Sequence, residues 1–259
     1  VKSRLDRIIT LITDFGTADG YVGAMKGVIL SINPRAVIVD ISHDIQPQNI
    51  LQAVHVLDST HPYYPRDSIH VVVVDPGVGT DRKALVMRTR KAFFIAPDNG
   101  VLSHVDEQKL EAVAITNSRF WRKPVSATFH GRDIFAPVAA QLSLGTAIAE
   151  FGEPVSSLVV LPRSSPNVEE DGTIVGHVIH IDRFGNLITD VRRGLIPAGD
   201  IRVEMKGHSI KGLSGTYAEG NGLVALVGSD DSLEIGLRNG NAASFLNAAL
   251  GDRIEIRLT

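Results

Sequence analysis

The first part of the chain alternates short apolar runs with stretches of helical spacing. Ile8–Thr13 is apolar apart from two threonines and ends on a carboxylate, Asp14, which predicts a first buried strand. A turn containing Phe15-Gly16 and Asp19-Gly20 leads into a helical stretch over Tyr21–Ile32. Residues 36–41 predict the next strand, and the polar, proline-containing run from Asp44 to Asn49 predicts the approach to a helix. Ile50, Val54 and Leu57 give that helix one apolar face, and His61-Pro62-Tyr63-Tyr64-Pro65 stops it. Four consecutive valines, Val71 to Val74, have the pattern of a central parallel strand buried on both faces. Residues 84–88 and 92–96 predict two further strands joined by a short basic turn. Pro97-Asp98-Asn99-Gly100 is a turn signal, residues 101–105 predict a short helix, and residues 111–116 a strand. Ile134, Phe135, Val138, Ala139 and Leu142 then recur at helical spacing. Kept up to about Gly152, this alternation predicts an α/β layer fold with a largely parallel sheet.

The pattern then changes. Residues 161–172 contain Pro162, Ser164-Ser165-Pro166 and Glu169-Glu170-Asp171-Gly172, the composition of a linker. Beyond it the apolar segments are short and strand-like: residues 173–182, 187–190, Ile201–Met205, Leu223–Val227 and Arg253–Leu258. Asn221-Gly222 and Asn239-Gly240 are among the turns between them, and only residues 242–250 look helical. This predicts a small antiparallel β-barrel. The expected organisation is an N-terminal α/β domain over residues 1–162 and a C-terminal barrel over residues 173–259.

Composition narrows the function classes. A net charge of -3 over 259 residues argues against a nucleic-acid binder with a broad basic surface. The absence of Cys removes disulfides, thiolate nucleophiles and Cys-ligated zinc or iron–sulfur sites. Val1 to Arg7 lacks the apolar core of a signal peptide, and no apolar run approaches a membrane span. A cytoplasmic enzyme acting on a small molecule, with no membrane partner, is the expectation.

The richest chemistry follows the valine run. Val74-Asp75-Pro76-Gly77-Val78-Gly79 ends a central strand on a carboxylate and two glycines, and open parallel sheets bind ligands beyond the carboxyl ends of their strands. Arg82 lies seven residues after Asp75, far enough for the loop to fold back and pair the two. A turn-capping Asp75 with a surface Arg82 fits the same residues. Gly77-Val78-Gly79 is not a dinucleotide fingerprint, because the third glycine position is Arg82, and no P-loop occurs. The nine histidines show no metal-ligand spacing, so no metal site is expected. Asp14, Asp19 and Asp75 instead gather at strand ends, which favours a polar or cationic ligand, although capping explains any one of them. His130-Gly131-Arg132-Asp133 stands at a helix start, where Asp133 also fits a first-turn carboxylate. Asp182-Arg183-Phe184-Gly185-Asn186 offers an aromatic face and an amide suited to a base, and equally a tight turn. Ser229-Asp230-Asp231-Ser232 also reads as a plain hairpin turn.

Taken in order, Leu11-Ile12-Thr13-Asp14-Phe15-Gly16, Val74-Asp75-Pro76-Gly77-Val78-Gly79, Ala96-Pro97-Asp98-Asn99-Gly100, Phe129-His130-Gly131-Arg132-Asp133 and Asp182-Arg183-Phe184-Gly185-Asn186 resemble the S-adenosyl-L-methionine hydroxide adenosyltransferases, also described as S-adenosyl-L-methionine hydrolases. That family is related to fluorinating and chlorinating enzymes that use the same substrate. The resemblance spans nearly the whole chain. It implies a homotrimer with sites shared between subunits, no cofactor, and a catalytic trio of Asp75, Arg82 and His130. It further implies that Asp14 holds the ribose and Asp19 the methionine amino group. Phe184 and Asn186 would hold adenine, and Ser229 with Asp230 the methionine end. Glu234, Leu237 and Ala242 are lesser candidates for backbone or rim contacts. The segment Asp230-Asp231-Ser232 lacks the basic residue associated with the halogenating relatives.

The implied chemistry is attack of water on the 5′ carbon of the adenosyl group. The sulfonium leaves as a neutral thioether and needs no general acid. The nucleophile needs an in-line position about 3–3.5 Å from the carbon. A carboxylate can orient the water and accept its proton, and a neighbouring Arg can hold that carboxylate in one geometry. His130 fits a second hydrogen-bond partner or a proton relay. Two other readings remain open here: a halide-dependent adenosyltransferase, against which Gly131 offers no hydroxyl where halogenating relatives carry one, and a non-catalytic adenosyl-ligand binding protein.

Overall fold

The computed structural model describes residues 7–105 and 109–259. The chain forms two compact units, which meet in sequence between Leu161 and Pro162.

The first unit is built on a seven-stranded sheet. Its strands are β1 (Ile8–Thr13), β2 (Val37–Ser42), β3 (Ser68–Val73), β4 (Ala84–Thr89), β5 (Ala92–Pro97), β6 (Lys109–Ile115) and β7 (Gly152–Pro154), in the order β2-β1-β3-β5-β4-β6-β7. β1 pairs in parallel with β2 and β3, and β3 with β5. β4 runs antiparallel to both β5 and β6, and β7 antiparallel to β6. β2, β1, β3, β5 and β6 therefore share one direction, so the sheet is largely parallel with two reversed strands.

Helices α1 (Tyr21–Ile32), α2 (Ile50–Thr60) and α3 (Ala136–Ser143) complete this unit. Successive strand side chains point to opposite faces, and the sheet has a core on each. Ile9, Leu11, Ile69, Val71 and Val73 pack with Met25 and Ile29 of α1 and Val138 and Leu142 of α3. Ile12, Val72, Val74 and Phe94 pack with Val54 and Leu57 of α2. Every residue of β3 is buried, as the valine run requires of a strand covered on both sides.

Two local expectations change here. Residues 101–105 form successive tight turns rather than a helix, with Ser103 N–H donating to the Gly100 carbonyl and Val105 N–H to that of Leu102. The helix after His130 opens with a five-residue π-helical segment, Gly131–Phe135, before α3. Such segments recur at functional sites.

The second unit is an antiparallel sheet of eight strands. They are β8 (Asn167–Val168), β9 (Ile174–Ile181), β10 (Leu187–Arg192), β11 (Ile201–Met205), β12 (His208–Lys211), β13 (Leu223–Val227), β14 (Ser232–Leu237) and β15 (Arg253–Leu258). The main path is β12-β11-β15-β9-β10-β14-β13, with β8 pairing to β9. Its two ends, β12 and β13, lie against each other, which brings the sheet close to a closed barrel around Val178, Leu187, Val203, Leu233, Ile235 and Ile254. The linker-like stretch thus contributes a strand, β8. β12 is also new, because its single buried residue, Ile210, carries too little pattern to read. The short helix α4 (Ala242–Leu246) ends earlier than the composition suggests, at a left-handed Asn247.

Candidate active site

Asp75 leaves the carboxyl end of β3 and enters two successive turns. Val78 N–H donates to the Asp75 carbonyl at 3.2 Å, and Thr80 N–H to the Gly77 carbonyl at 3.1 Å. Gly79 has φ +79°, and a Cβ there would stand 2.5 Å from the Ala127 carbonyl oxygen. Only glycine lets the two loops approach this closely. The double turn carries Arg82 back over Asp75. Arg82 Nε lies 2.9 Å from Oδ1 and 3.0 Å from Oδ2, and Nη2 also donates to Oδ2.

The pair is nearly enclosed, with 5% of the Asp75 side chain and 10% of the Arg82 side chain exposed. A buried ion pair holds only with such matched geometry. The guanidinium also lies 5.5 Å from the centre of the Phe135 ring. Its Nη2 is 2.8 Å from Nδ1 of His130. Burial, and then the Arg82 charge, push the His130 imidazole below its ordinary range, against the smaller pull of Asp75 and Asp133. The sequence trio is therefore one connected group.

The helical turn that begins at His130 is tied through Asp133 to the loop that precedes it. Asp133 is fully buried and accepts two bonds from Arg132 at 2.7 Å, one from Ser126 N–H at 2.9 Å and one from Arg122 at 3.3 Å. Burial alone would raise its pKa; these donors outweigh it and hold the carboxyl below its usual range. Gly131 sits against β3 and α1, where a Cβ would meet Met25 Sδ and Val73 Cγ1, each at 3.3 Å. A side chain at Gly131 would need Met25 and Val73 to give by a few tenths of an ångström.

Asp14 emerges from β1, the parallel neighbour of β3, and its Oδ2 accepts the Gln48 N–H at 2.8 Å. Asp19 is exposed in the turn before α1. Beside them Phe15, Tyr21 and Phe129 form an aromatic triangle with ring centres 5.3 to 5.8 Å apart. Asn99 does structural work: its Nδ2 donates to the Val74 carbonyl at 2.9 Å and ties the end of β3 to the end of β5.

The second unit gathers its own candidates. Asp182 closes the turn between β9 and β10 by accepting from Phe184 N–H at 2.9 Å, Asn186 N–H at 2.8 Å and Asn186 Nδ2 at 2.9 Å. The turn leaves Phe184 75% exposed, an open aromatic face. Asn186 Oδ1 and the Tyr217 ring both border Gly236, where a Cβ would stand 3.1 and 2.7 Å from them. Ser229 and Asp230 lie in the turn between β13 and β14, with Asp230 accepting Ser232 N–H at 3.1 Å. Glu234 is buried and accepts the Tyr217 hydroxyl; burial and the charges of Asp230 and Asp182 raise its pKa against that bond. Its side chain is therefore already engaged. Leu237 packs over Gly240, and Ala242 is buried in the barrel core. Among the described residues, no cluster of three or more His, Cys, Asp or Glu could hold a metal.

Comparison with known proteins decides the family. The SAM hydroxide adenosyltransferase N-terminal domain matches residues 9–152, and the C-terminal domain of the same name matches residues 176–255. The chain belongs to the SAM hydroxide adenosyltransferase family. It is 38% identical to an (R)-S-adenosyl-L-methionine hydrolase of Methanocaldococcus jannaschii, covering 96% of this chain and 95% of that one. A crystal structure of an uncharacterized conserved protein from Thermotoga maritima shares 38% identity with a TM-score of 0.89, over 96% of this chain and 99% of that one. A fluorinase from Actinoplanes sp. is more distant, at 27% identity over 72% of each chain.

Three neighbours of the candidate residues escape a sequence reading. Tyr217 lies in the polar stretch between β12 and β13, which carries no periodicity. Arg192 reaches the Ser229-Asp230 turn from β10, with Nη1 2.5 Å from the Asp230 carbonyl. The turn thus acquires the cation its own segment lacks. The Ser42–Asn49 segment reaches Asp14 only through the fold.

Proposed function

We propose that this chain hydrolyses S-adenosyl-L-methionine to adenosine and L-methionine, by attack of an oriented water on the 5′ carbon. The observation that carries the reading is the enclosed Asp75–Arg82–His130 chain at the end of a central strand. Family membership and the hydrolase relative support it.

The geometry divides the roles. Arg82 has only donors, so His130 Nδ1 accepts and the neutral imidazole carries its proton on Nε2. The free nitrogen of His130 is then a donor, suited to holding the water oxygen. Asp75 keeps unused lone pairs beside the bonds from Arg82 and takes the water proton. The oxygen forms its bond to C5′ as the C5′–S bond breaks, and the bonding pair leaves with the neutral thioether. No step requires free hydroxide, whose formation from water of pKa about 15.7 would need a stronger local charge than one guanidinium.

Asp14 is the ribose contact in this reading, and Asp19 meets the methionine amino group. Phe184 and Asn186 face adenine. Ser229 and Asp230, with Arg192 alongside, face the methionine end, while Glu234 and Leu237 shape the rim through their neighbours. The sulfonium epimer proposed is (R), after the hydrolase relative. The working assembly is a homotrimer whose reaction centres draw on two copies of the chain, without cofactor, nucleic acid or membrane partner and located in the cytoplasm.

The test is incubation of purified chain with each sulfonium epimer, with and without chelator and halide, followed by product separation. Equimolar adenosine and methionine from the (R) epimer, indifferent to chelator, is the expected result. A 5′-halo-adenosine product would overturn the hydrolase reading. Loss of activity with chelator and recovery with zinc would overturn the cofactor-free one.

A further inference from the structure

Asp14 stands at the end of β1 on a short turn, and a carboxylate there rotates freely unless its surroundings fix it. The segment between β2 and α2 supplies the fixing contacts. Gly16 N–H donates to the His43 carbonyl at 2.8 Å. His43 Nδ1 lies 2.9 Å from Thr13 Oγ1, and that hydroxyl also accepts Phe15 N–H at 3.3 Å. Gln48 N–H occupies Asp14 Oδ2 at 2.8 Å, from a residue held at φ +64°.

The other ring nitrogen faces a carboxylate without hydrogen-bond geometry. His43 Nε2 lies 3.1 Å from Asp40 Oδ1, and Asp40 Oδ2 takes Lys26 Nζ of α1 at 2.5 Å. The hydrogen bond from His43 to Thr13 is therefore the side-chain link that reaches the residue before Asp14, with the Lys26–Asp40 pair lying close behind the imidazole. His43 and Thr13 are buried, at 6% and 0% exposure. An apolar side chain would fill that space with no polar group to satisfy, so the pairing of imidazole and hydroxyl is what distinguishes the site.

We propose that His43 is a positioning residue for Asp14. It locks the Thr13–Gly16 turn so that the Asp14 carboxylate, one oxygen already occupied by Gln48, presents its remaining acceptors to the vicinal hydroxyls of a ribose. A preorganised acceptor raises affinity by removing the cost of ordering it on binding. This contact exists in ground and transition states alike, so its loss falls on binding rather than on the chemical step. The proposal rests on the reading of Asp14 as the ribose contact.

The test uses the full chain with His43→Ala, His43→Asn and Thr13→Val. Calorimetry measures the affinity of each for adenosine, 2′-deoxyadenosine and L-methionine, and steady-state kinetics give KM and kcat. Wild type is expected to prefer adenosine to 2′-deoxyadenosine. In His43→Ala and Thr13→Val that preference falls about 3- to 10-fold, the range of one net hydrogen bond, while methionine affinity holds and the loss appears in KM. His43→Asn, whose amide reaches where Nδ1 stood, restores most of the preference. A preference retained in His43→Ala and Thr13→Val overturns the positioning role alone. Equal weakening for all three ligands, together with a lowered melting temperature, also overturns it and leaves a merely structural His43. A wild type that does not discriminate the two nucleosides overturns the ribose reading of Asp14, and this proposal with it.

Discussion

Arg82 donates an N–H to Nδ1 of His130 across 2.8 Å, and this one bond decides which imidazole nitrogen bears the proton. The same guanidinium holds Asp75 through Nε and Nη2, so one cation sets the geometry of both a carboxylate and an imidazole. Removing it should be visible at His130 directly. In wild type the imidazole titrates below 6.5, because burial and the Arg82 charge both disfavour its protonated form. Arg82→Gln removes the charge and should move the His130 titration upward, read from its ring proton shifts by NMR. The ring nitrogen shifts of wild type should report the Nε2–H tautomer. An Nδ1–H tautomer in wild type would contradict the geometry.

Asp75→Asn keeps the shape but loses the proton acceptor and the charge paired with Arg82. Turnover should fall roughly 10²- to 10⁴-fold, the usual worth of a positioned general base, with little change in substrate affinity. Asp14→Asn should show the opposite partition, with weaker binding and a smaller change in kcat. If Asp75 only shaped its turn, Asp75→Asn would lose affinity and thermal stability together. Single-turnover rate, affinity and melting temperature on the same sample separate the two.

Stability should fall in acid through His70. This residue is fully buried on β3, bonded to Thr10, and its pKa is lowered to about 3 by burial and then by the nearby His61. Between 6.5 and about 3 the unfolded chain takes up a proton that the folded chain refuses. The stability is complete above 6.5 and is lost as pH falls through that window, at about 1.4 kcal/mol per pH unit. By pH 4.5 the loss from this group is roughly 3 kcal/mol. Urea midpoints at pH 7 and 4.5 check this. His70→Asn should start less stable at pH 7 yet lose much less on acidification; an unchanged loss would remove His70 from the account.

Much of this was legible in the sequence because it depends on local pattern. The valine run, the carboxylates that close strands, and the glycine at position 79 each announce themselves without knowledge of any partner. Pairing of Arg82 with Asp75 was readable as a loop that folds back. What was not legible depends on distant residues meeting. β12 has one buried side chain and exists because β11 offers it an edge. Residues 101–105 have apolar content suited to a helix, yet Asn99 Oδ1 takes the Val101 N–H and starts a turn. Glu234 reads as a rim residue until Tyr217 arrives from another loop to engage it, and Arg192 lies some forty residues before the turn it serves.

Shared reaction centres are tested by mixing. Asp75→Ala and Asn186→Ala chains, each inactive alone, should recover part of the wild-type rate when refolded together into mixed oligomers. Oligomer composition is verified by native mass spectrometry. No recovery in verified mixtures would show that each chain works by itself.

Oxygen-18 tests the central claim most directly. The protein is incubated with S-adenosyl-L-methionine in oxygen-18 water, and the products are weighed by mass spectrometry. Attack of water on the 5′ carbon places one heavy oxygen in adenosine, at its 5′ hydroxyl, and none in methionine. Unlabelled adenosine, label in methionine, or no turnover of either epimer would contradict it.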